Sequence, residues 1–487
     1  MTLPSTPSVP SVSPIDAAVT NMFDQAHLHW SDMLKRNNLN RKTVNDAQTQ
    51  VLQTLANAVE ICSSFMDSET ATSLTNKKIG DFIGISLYFD EFGTVNPLGQ
   101  SSATNKIMGC YFRVNNFPIE LQDTDLIFLG FLALAIDVKQ EDFQELLKNL
   151  LLPQLHDLEN GIDVPYKGEM KKMPVILLNL LGDNLGIHQC SGYTTYFAGD
   201  VSCRLCYGTA ADLKLKWALN EFQLKTAENY DRITDRNDCV GLEGHGIKYY
   251  CTFNRLEHFH VVDATCVDMM HDLMEGHLKR LLIYIIRSIV NDNATPTTLE
   301  DINNAITSFP CAGELARNKP QKFFLDHVRK GEIKQSTAKS ILNITLYLPL
   351  ILNQAHIAVT TTNNWYKLYL YFLGILDILL MPNIPKDRLP RLQIQIQTYL
   401  KHYIQYGGHM TVKPHLTLHY ADVIKRFGSL IHSWSMAFEA KHKAFKEYER
   451  NNKNHKDLAM TLAQRIQEQN VPLYENMANG NFLVFIN

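Results

Sequence analysis

A chain of 487 residues has room for two or three packed units, or for one domain carrying a large insertion. Hydrophobic residues at 45% and charged residues at 20% suit a globular protein, and a net charge of −4 excludes one that coats nucleic acid with its whole surface. Nine cysteines, with a Pro/Ser-rich start in place of a secretory leader, point to a reducing compartment where cysteines bind metal or fill the core.

In chain order, residues 1–40 read as a poorly structured tail and 41–80 as a helical segment, with apolar residues at helical spacing from Val44 to Phe65. The period then changes. Ile83–Asp90 and Ile107–Val114 read as strands joined across a Gly/Asn/Pro/Ser-rich loop, and Leu126–Ile136 as a third. Phe143–Leu151 reads as helix. Val175–Leu181 is apolar without alternation, which suits a strand covered on both faces. Three strands, a helix and a buried strand are the opening of an RNase H-like fold, in which the first and fourth strands lie side by side. Asp90 closes the first of these runs and Asp183 follows the fourth, so two distant carboxylates are expected to meet at strand ends.

Residues 208–430 read as mostly helical, with long periodicities over Asp268–Ile289, Lys334–Leu352 and Trp365–Met381. Lys367 and Asp377 interrupt the most apolar stretch, which makes it a buried helix and not a membrane span. A last helix starts near Ser435, within a closing segment 431–470, and 471–487 forms a C-terminal tail. The fold class is therefore α/β: a mixed-sheet core over 81–207, a large helical insertion, and a helix that closes the core.

Four constellations stand out. Asp90, Asp183 and Glu439 are suited to holding two Mg²⁺ or Mn²⁺ ions through oxygen ligands; alternatively each Asp is a turn former or helix cap and Glu439 pairs with Lys443 one turn on. Cys203-x-x-Cys206 with His415-x-x-x-His419 has the ligand types and spacings of a closed Zn²⁺ site, against a redox-active cysteine pair and a surface histidine pair. Cys203 lies 20 residues after Asp183 and His419 lies 20 before Glu439, so one ion would set both acids at similar removes from a fixed point. Asp268, His271 and Glu275 share a helix face, either turned to the catalytic centre or serving as helix-start acid and hydrogen-bonded histidine. Lys441, Lys443, Lys446 and Arg450 open a basic run that either contacts phosphate or forms a solvated face.

Five blocks carry a resemblance: LYFDEFGTVNPLG (87–99), GDNLGIHQCSGYTTYFAGDVSCRLC (182–206), FHVVDATCVDMMHDLMEG (259–276), HLTLHYADVIKRFG (415–428) and FEAKHKAFK (438–446). In this order they resemble the catalytic domain of CACTA-like (En/Spm) DDE transposases and their animal relatives. The resemblance implies Asp90, Asp183 and Glu439 as catalytic acids, with Asp268 and His271 as accessory groups near them. It also implies double-stranded DNA as partner, a homodimer that pairs two transposon ends, and a nuclear location inferred from that substrate alone. The implied reaction nicks DNA at an end and joins the freed 3′ hydroxyl to target DNA. The chain departs from the pattern at Ala437, where relatives commonly place Arg before the Phe-Glu pair. The competing expectation is a transposase-derived protein that binds DNA or a protein partner without catalysis; membranes and small-molecule substrates are not expected partners.

Overall fold

The computed structural model describes residues 81–466 except 94–105, 117–125, 141–142, 167–168, 236–240, 332, 335, 361 and 452–458, together with Thr70 and Glu468. The expected helix over 44–65 and the tails 1–40 and 471–487 lie outside the described residues.

The protein is a mixed α/β structure. Strands β1 (Ile83–Gly93), β2 (Lys106–Val114) and β3 (Phe128–Leu134) form consecutive antiparallel ladders. Helices α1 (Ala135–Gln140), α2 (Phe143–Leu150) and α3 (Leu152–Glu159) follow, then a hairpin of β4 (Ile162–Tyr166) and β5 (Glu169–Met173). The chain returns as β6 (Val175–Gly182), parallel to β1, which gives the sheet order β3-β2-β1-β6. All eight residues of β6 are buried, as a strand covered on both faces requires.

Alternation along β1 divides the core in two. Ile83, Ile85, Leu87 and Phe89 pack against Leu147, Leu151, Leu155 and Leu158 around α2 and α3. Tyr88 and Phe92 face the other way, into a larger core built by the helices, and Asp90 lies between them on that same face. Helix α4 (Asn184–Ser191) joins the first core through Cys190, whereas the helices of the larger core are α5 (Leu278–Val290), α6 (Ala338–Gln354), α7 (Asn364–Leu379), α8 (Leu389–Gln405), α9 (Tyr420–Phe427) and α10 (Met436–Asn451). A π-helical turn, Met270–His277, runs directly into α5. Among the described residues no helix is long and apolar enough to cross a membrane.

Two elements differ from the sequence expectation, and a third keeps its expected helix despite a misleading local pattern. The third apolar run turns helical at Ala135, with Asp137 in the favourable first turn, so β3 stops at Leu134. The described residues of 208–260 form short helices, such as Ala210–Leu215 and Ala227–Thr234, and the long ones follow. Helix α8 carries the run Gln393-Ile394-Gln395-Ile396-Gln397, whose strict alternation imitates a strand. Its wider pattern is helical: Leu389, Leu392, Ile396, Tyr399, Leu400 and Tyr403 are the buried set.

Candidate metal centres

The parallel register pairs Phe89 with Gly182, so Asp90 and Asp183 are the next residues on two adjacent strands. The turn that carries Asp183 is tight. Gly182 has φ +154°, and a Cβ there or at Gly186 would lie 2.5 Å from the Phe89 carbonyl oxygen. Asp183 is the N-cap of α4 and its Oδ1 accepts from the Gly186 N–H at 2.6 Å. The helix-cap role expected of a strand-end Asp is therefore real, and it engages only one of the two carboxylate oxygens.

Helix α10 brings Glu439 to the same strand ends. Phe438 stacks on Tyr88 with ring centroids 4.2 Å apart, and His442, one turn on, stacks on Phe92 at 4.2 Å. His442 Nδ1 then lies 3.4 Å from Asp90 Oδ2, which also accepts from the Tyr88 hydroxyl at 3.3 Å. The start of α10 is fixed by Asp268, whose Oδ1 accepts from the Ser435 N–H at 3.1 Å and whose Oδ2 accepts from Ser435 Oγ at 2.5 Å. Asp268 also accepts from the Met270 N–H at 3.1 Å, which ties the π-helical turn to α10.

His271 bridges the group. Its Nδ1 faces Asp268 Oδ2 at 2.5 Å, and its Nε2 lies 3.4 Å from Glu439 and 3.9 Å from Glu275. Burial disfavours the imidazolium, but Asp268, Glu439 and Asp183 outweigh it and raise His271 to about 10. Burial and the Asp183 carboxylate push Asp90 up to about 6, against the pull of His271. Burial likewise raises Glu439 to about 7; His271 opposes this, while Asp90, Glu275 and Asp268 reinforce it. Asp90, Asp183, Glu439, Asp268 and His271 thus form one electrostatically coupled cluster. It is short of positive charge and open on one side, since the Glu439 side chain is 40% exposed. Carboxylate oxygens are the donor type that a hard divalent cation takes, but among the described residues only Cys203, Cys206, His415 and His419 gather their ligand atoms as one ion requires.

The second group is sealed. Cys203, Cys206, His415 and His419 are at most 3% exposed, and one ligand atom from each lies within 4.8 Å of all the others. Cys203 Sγ is 3.6 Å from His419 Nε2, Cys206 Sγ is 3.2 Å from His415 Nε2, and the two Nε2 atoms are 3.4 Å apart. A tetrahedral ion with Zn–S about 2.3 Å and Zn–N about 2.0 Å spaces its ligands about 3.3–3.8 Å apart, so this group can hold a metal such as zinc. The cysteines sit on a knuckle closed by Tyr207 N–H to Gln223 O at 2.9 Å and Lys225 N–H to Leu205 O at 3.0 Å. The histidines lie on one helical stretch that leads into α9.

Lys441, on α10, is partly buried; the side chains of Lys443, Lys446 and Arg450 lie outside the described residues. The sequence reading missed Ser435 and His442. His442 was nonetheless discoverable, because it lies one turn from Glu439 on a face that alternates with Phe438 and Phe445. No family model matches this chain, and no curated protein matches its sequence.

Proposed function

We propose that this protein is a DDE transposase-like enzyme on an RNase H-like core, which nicks DNA at transposon ends and joins the 3′ hydroxyl to target DNA. The observation that carries the reading is that Asp90, within β1, and Asp183, just past the end of the adjacent parallel β6, are next to each other in register, with Glu439 delivered toward them by α10. The sheet order β3-β2-β1-β6, with three antiparallel strands and a parallel fourth beside the first, supports the RNase H-like core. The five sequence blocks that resemble CACTA-like transposases contain every residue of both clusters except Ser435.

Two Mg²⁺ or Mn²⁺ ions, when bound, supply a clamp on the attacking and leaving oxygens of an in-line phosphoryl displacement. Asp90, the Asp183 oxygen left over from capping, and Glu439 are the carboxylates that hold them. Asp268 fixes Ser435 and with it the first turn of α10, so Glu439 keeps its aim. His271 is held by Asp268 as a cation beside Glu439, where it offsets carboxylate repulsion. The Cys203, Cys206, His415, His419 group holds zinc in a structural role, pinning 203–206 to 415–419. The partner is double-stranded DNA, gripped in part by Lys441, Lys443, Lys446 and Arg450, and a homodimer pairs the two ends.

The test is conversion of supercoiled plasmid to open circle in Mn²⁺. The wild-type chain nicks, and Asp90→Asn, Asp183→Asn and Glu439→Gln lose nicking while they stay folded. Nicking by Asp183→Asn at the wild-type rate sinks the assignment. Metal-independent DNA binding without nicking by the wild type selects the non-catalytic reading instead.

A further inference from the structure

Four buried polar side chains join the two clusters, and each is the chain neighbour of a cluster member. Arg204 lies inside the Cys203–Cys206 knuckle, Asn184 follows Asp183, Asp272 follows His271, and Tyr420 follows His419. Their exposures are 1%, 8%, 0% and 0%. Arg204 Nε donates to the Cys266 carbonyl at 2.8 Å and Nη1 donates to Asn184 Oδ1 at 2.6 Å. Asn184 Nδ2 donates to Asp272 Oδ1 at 2.9 Å, and the Tyr420 hydroxyl donates to Asp272 Oδ2 at 3.3 Å. The chain of hydrogen bonds starts beside the cysteine pair, passes the neighbours of Asp183 and His271, and ends beside the histidine pair.

Burying a guanidinium, a carboxylate, an amide and a phenol together costs desolvation that an apolar filling of the same volume would avoid. What such a network supplies is fixed geometry. Asn184 is held in one orientation, because its oxygen must face Arg204 and its nitrogen must face Asp272. As the first residue of α4, it anchors the backbone immediately after the helix cap Asp183.

We propose that Arg204, Asn184, Asp272 and Tyr420 are positioning residues through which the Cys₂His₂ group sets Asp183 and His271 for divalent-ion binding at the acid cluster. The inference rests on the proposed role of Asp90, Asp183 and Glu439 as ion ligands. It goes further in making the sealed site a determinant of the open site's affinity, beyond its part in holding the fold.

The test uses the full zinc-loaded chain and reads free Mn²⁺ by electron paramagnetic resonance. Arg204→Lys keeps the charge and loses the fork that reaches both Cys266 and Asn184. Tyr420→Phe removes one hydroxyl at nearly constant volume. Partners bonded directly to metal ligands alter affinity about 10–100-fold; acting one residue removed, this network should change Mn²⁺ affinity by about the lower end of that range, roughly tenfold, in Arg204→Lys and by a smaller factor in Tyr420→Phe. Bound zinc, measured by mass spectrometry of the digested protein, should stay at about one ion per chain in both. Wild-type Mn²⁺ affinity in both folded variants overturns the bridge and leaves the proposed function standing. If Arg204→Lys does not fold, the milder Tyr420→Phe decides alone. If the wild type takes up no Mn²⁺, or Asp183→Asn takes it up equally well, the proposed function falls and the bridge falls with it.

Discussion

The Cys₂His₂ group and the acid cluster face the same helical core, yet their surroundings are opposite. Cys203, Cys206, His415 and His419 are sealed, and four donors fill a tetrahedral set with no position left over. Asp90, Asp183 and Glu439 are acids crowded against one another, partly wet, with His271 as the cation between them. A closed donor set contributes folding free energy, whereas an open carboxylate set keeps coordination sites for something else. On the proposed reading, one chain carries a site built to stay full and a site built to exchange, and the hydrogen-bonded residues from Arg204 to Tyr420 lie between them.

The sharpest way to break this comparison is to empty the closed site. His419→Ala, or removal of metal with a strong chelator, should cost at least about 4 kcal/mol, because four buried donors lose their shared partner and two chain segments 209 residues apart lose their tie. Thermal unfolding with and without chelator measures it. A midpoint that does not move would mean that the cluster is a packed core group and not a metal site.

Next in size is Asp183→Asn. Asn is as good a helix cap as Asp, so α4 should survive with its Gly186 hydrogen bond intact. The charge is gone, however, and Mn²⁺ affinity and plasmid nicking should each fall by at least about a hundredfold. Circular dichroism and nicking on the same sample separate the two effects. Loss of helix together with activity would assign Asp183 to the fold alone.

Much of this comparison was legible in the sequence, for identifiable reasons. The apolar runs that include Asp90 and precede Asp183 put these two acids on neighbouring strands, although β1 continues three residues past Asp90 to Gly93 through its pairing with β2. Ligand spacing located the closed site. Contacts that depend on how one helix docks on the sheet were illegible: Ser435 reaches Asp268 only because Phe438 stacks on Tyr88 and sets the depth of α10. The π-helical turn at Met270–His277 also left no periodic signal, since its apolar residues fit an ordinary helix equally well. Arg204 and Asp272 carry no sequence signal that foretells their burial, and the fold buries both.

The open site should also show its mutual repulsion as a pH effect. The native protein holds the Asp90 proton with a pKa of about 6, above the ordinary 3.8, so it binds that proton more tightly than the unfolded chain does. Stability contributed by protonated Asp90 is therefore lost as pH rises from about 4 through 6. Without divalent metal, Asp90→Asn should be more stable than wild type at pH 8 by on the order of 3 kcal/mol. That advantage should shrink by about half at pH 5. Urea unfolding at the two pH values checks the sign, and saturating Mn²⁺ should reverse it, because only the wild type gains a ligand. An advantage that is independent of pH would place its origin in packing.

The smallest expected effect concerns the rim of the open site. Lys441 lies two residues beyond Glu439 on α10, at the start of the basic run that ends with Lys456. If that run follows a phosphate backbone, each lysine removed should release about one counterion fewer on binding. Lys441→Ala should then weaken duplex binding by only a few-fold near physiological salt, uniformly across sequences. The log–log salt slope should become shallower by about 0.9. The acid cluster should not notice: Mn²⁺ affinity should stay at the wild-type value, since Lys441 supplies no oxygen ligand. A salt slope that is unchanged while affinity falls would mean that Lys441 acts by holding α10 against β1. That outcome would move it from the DNA-facing rim into the scaffold that aims Glu439.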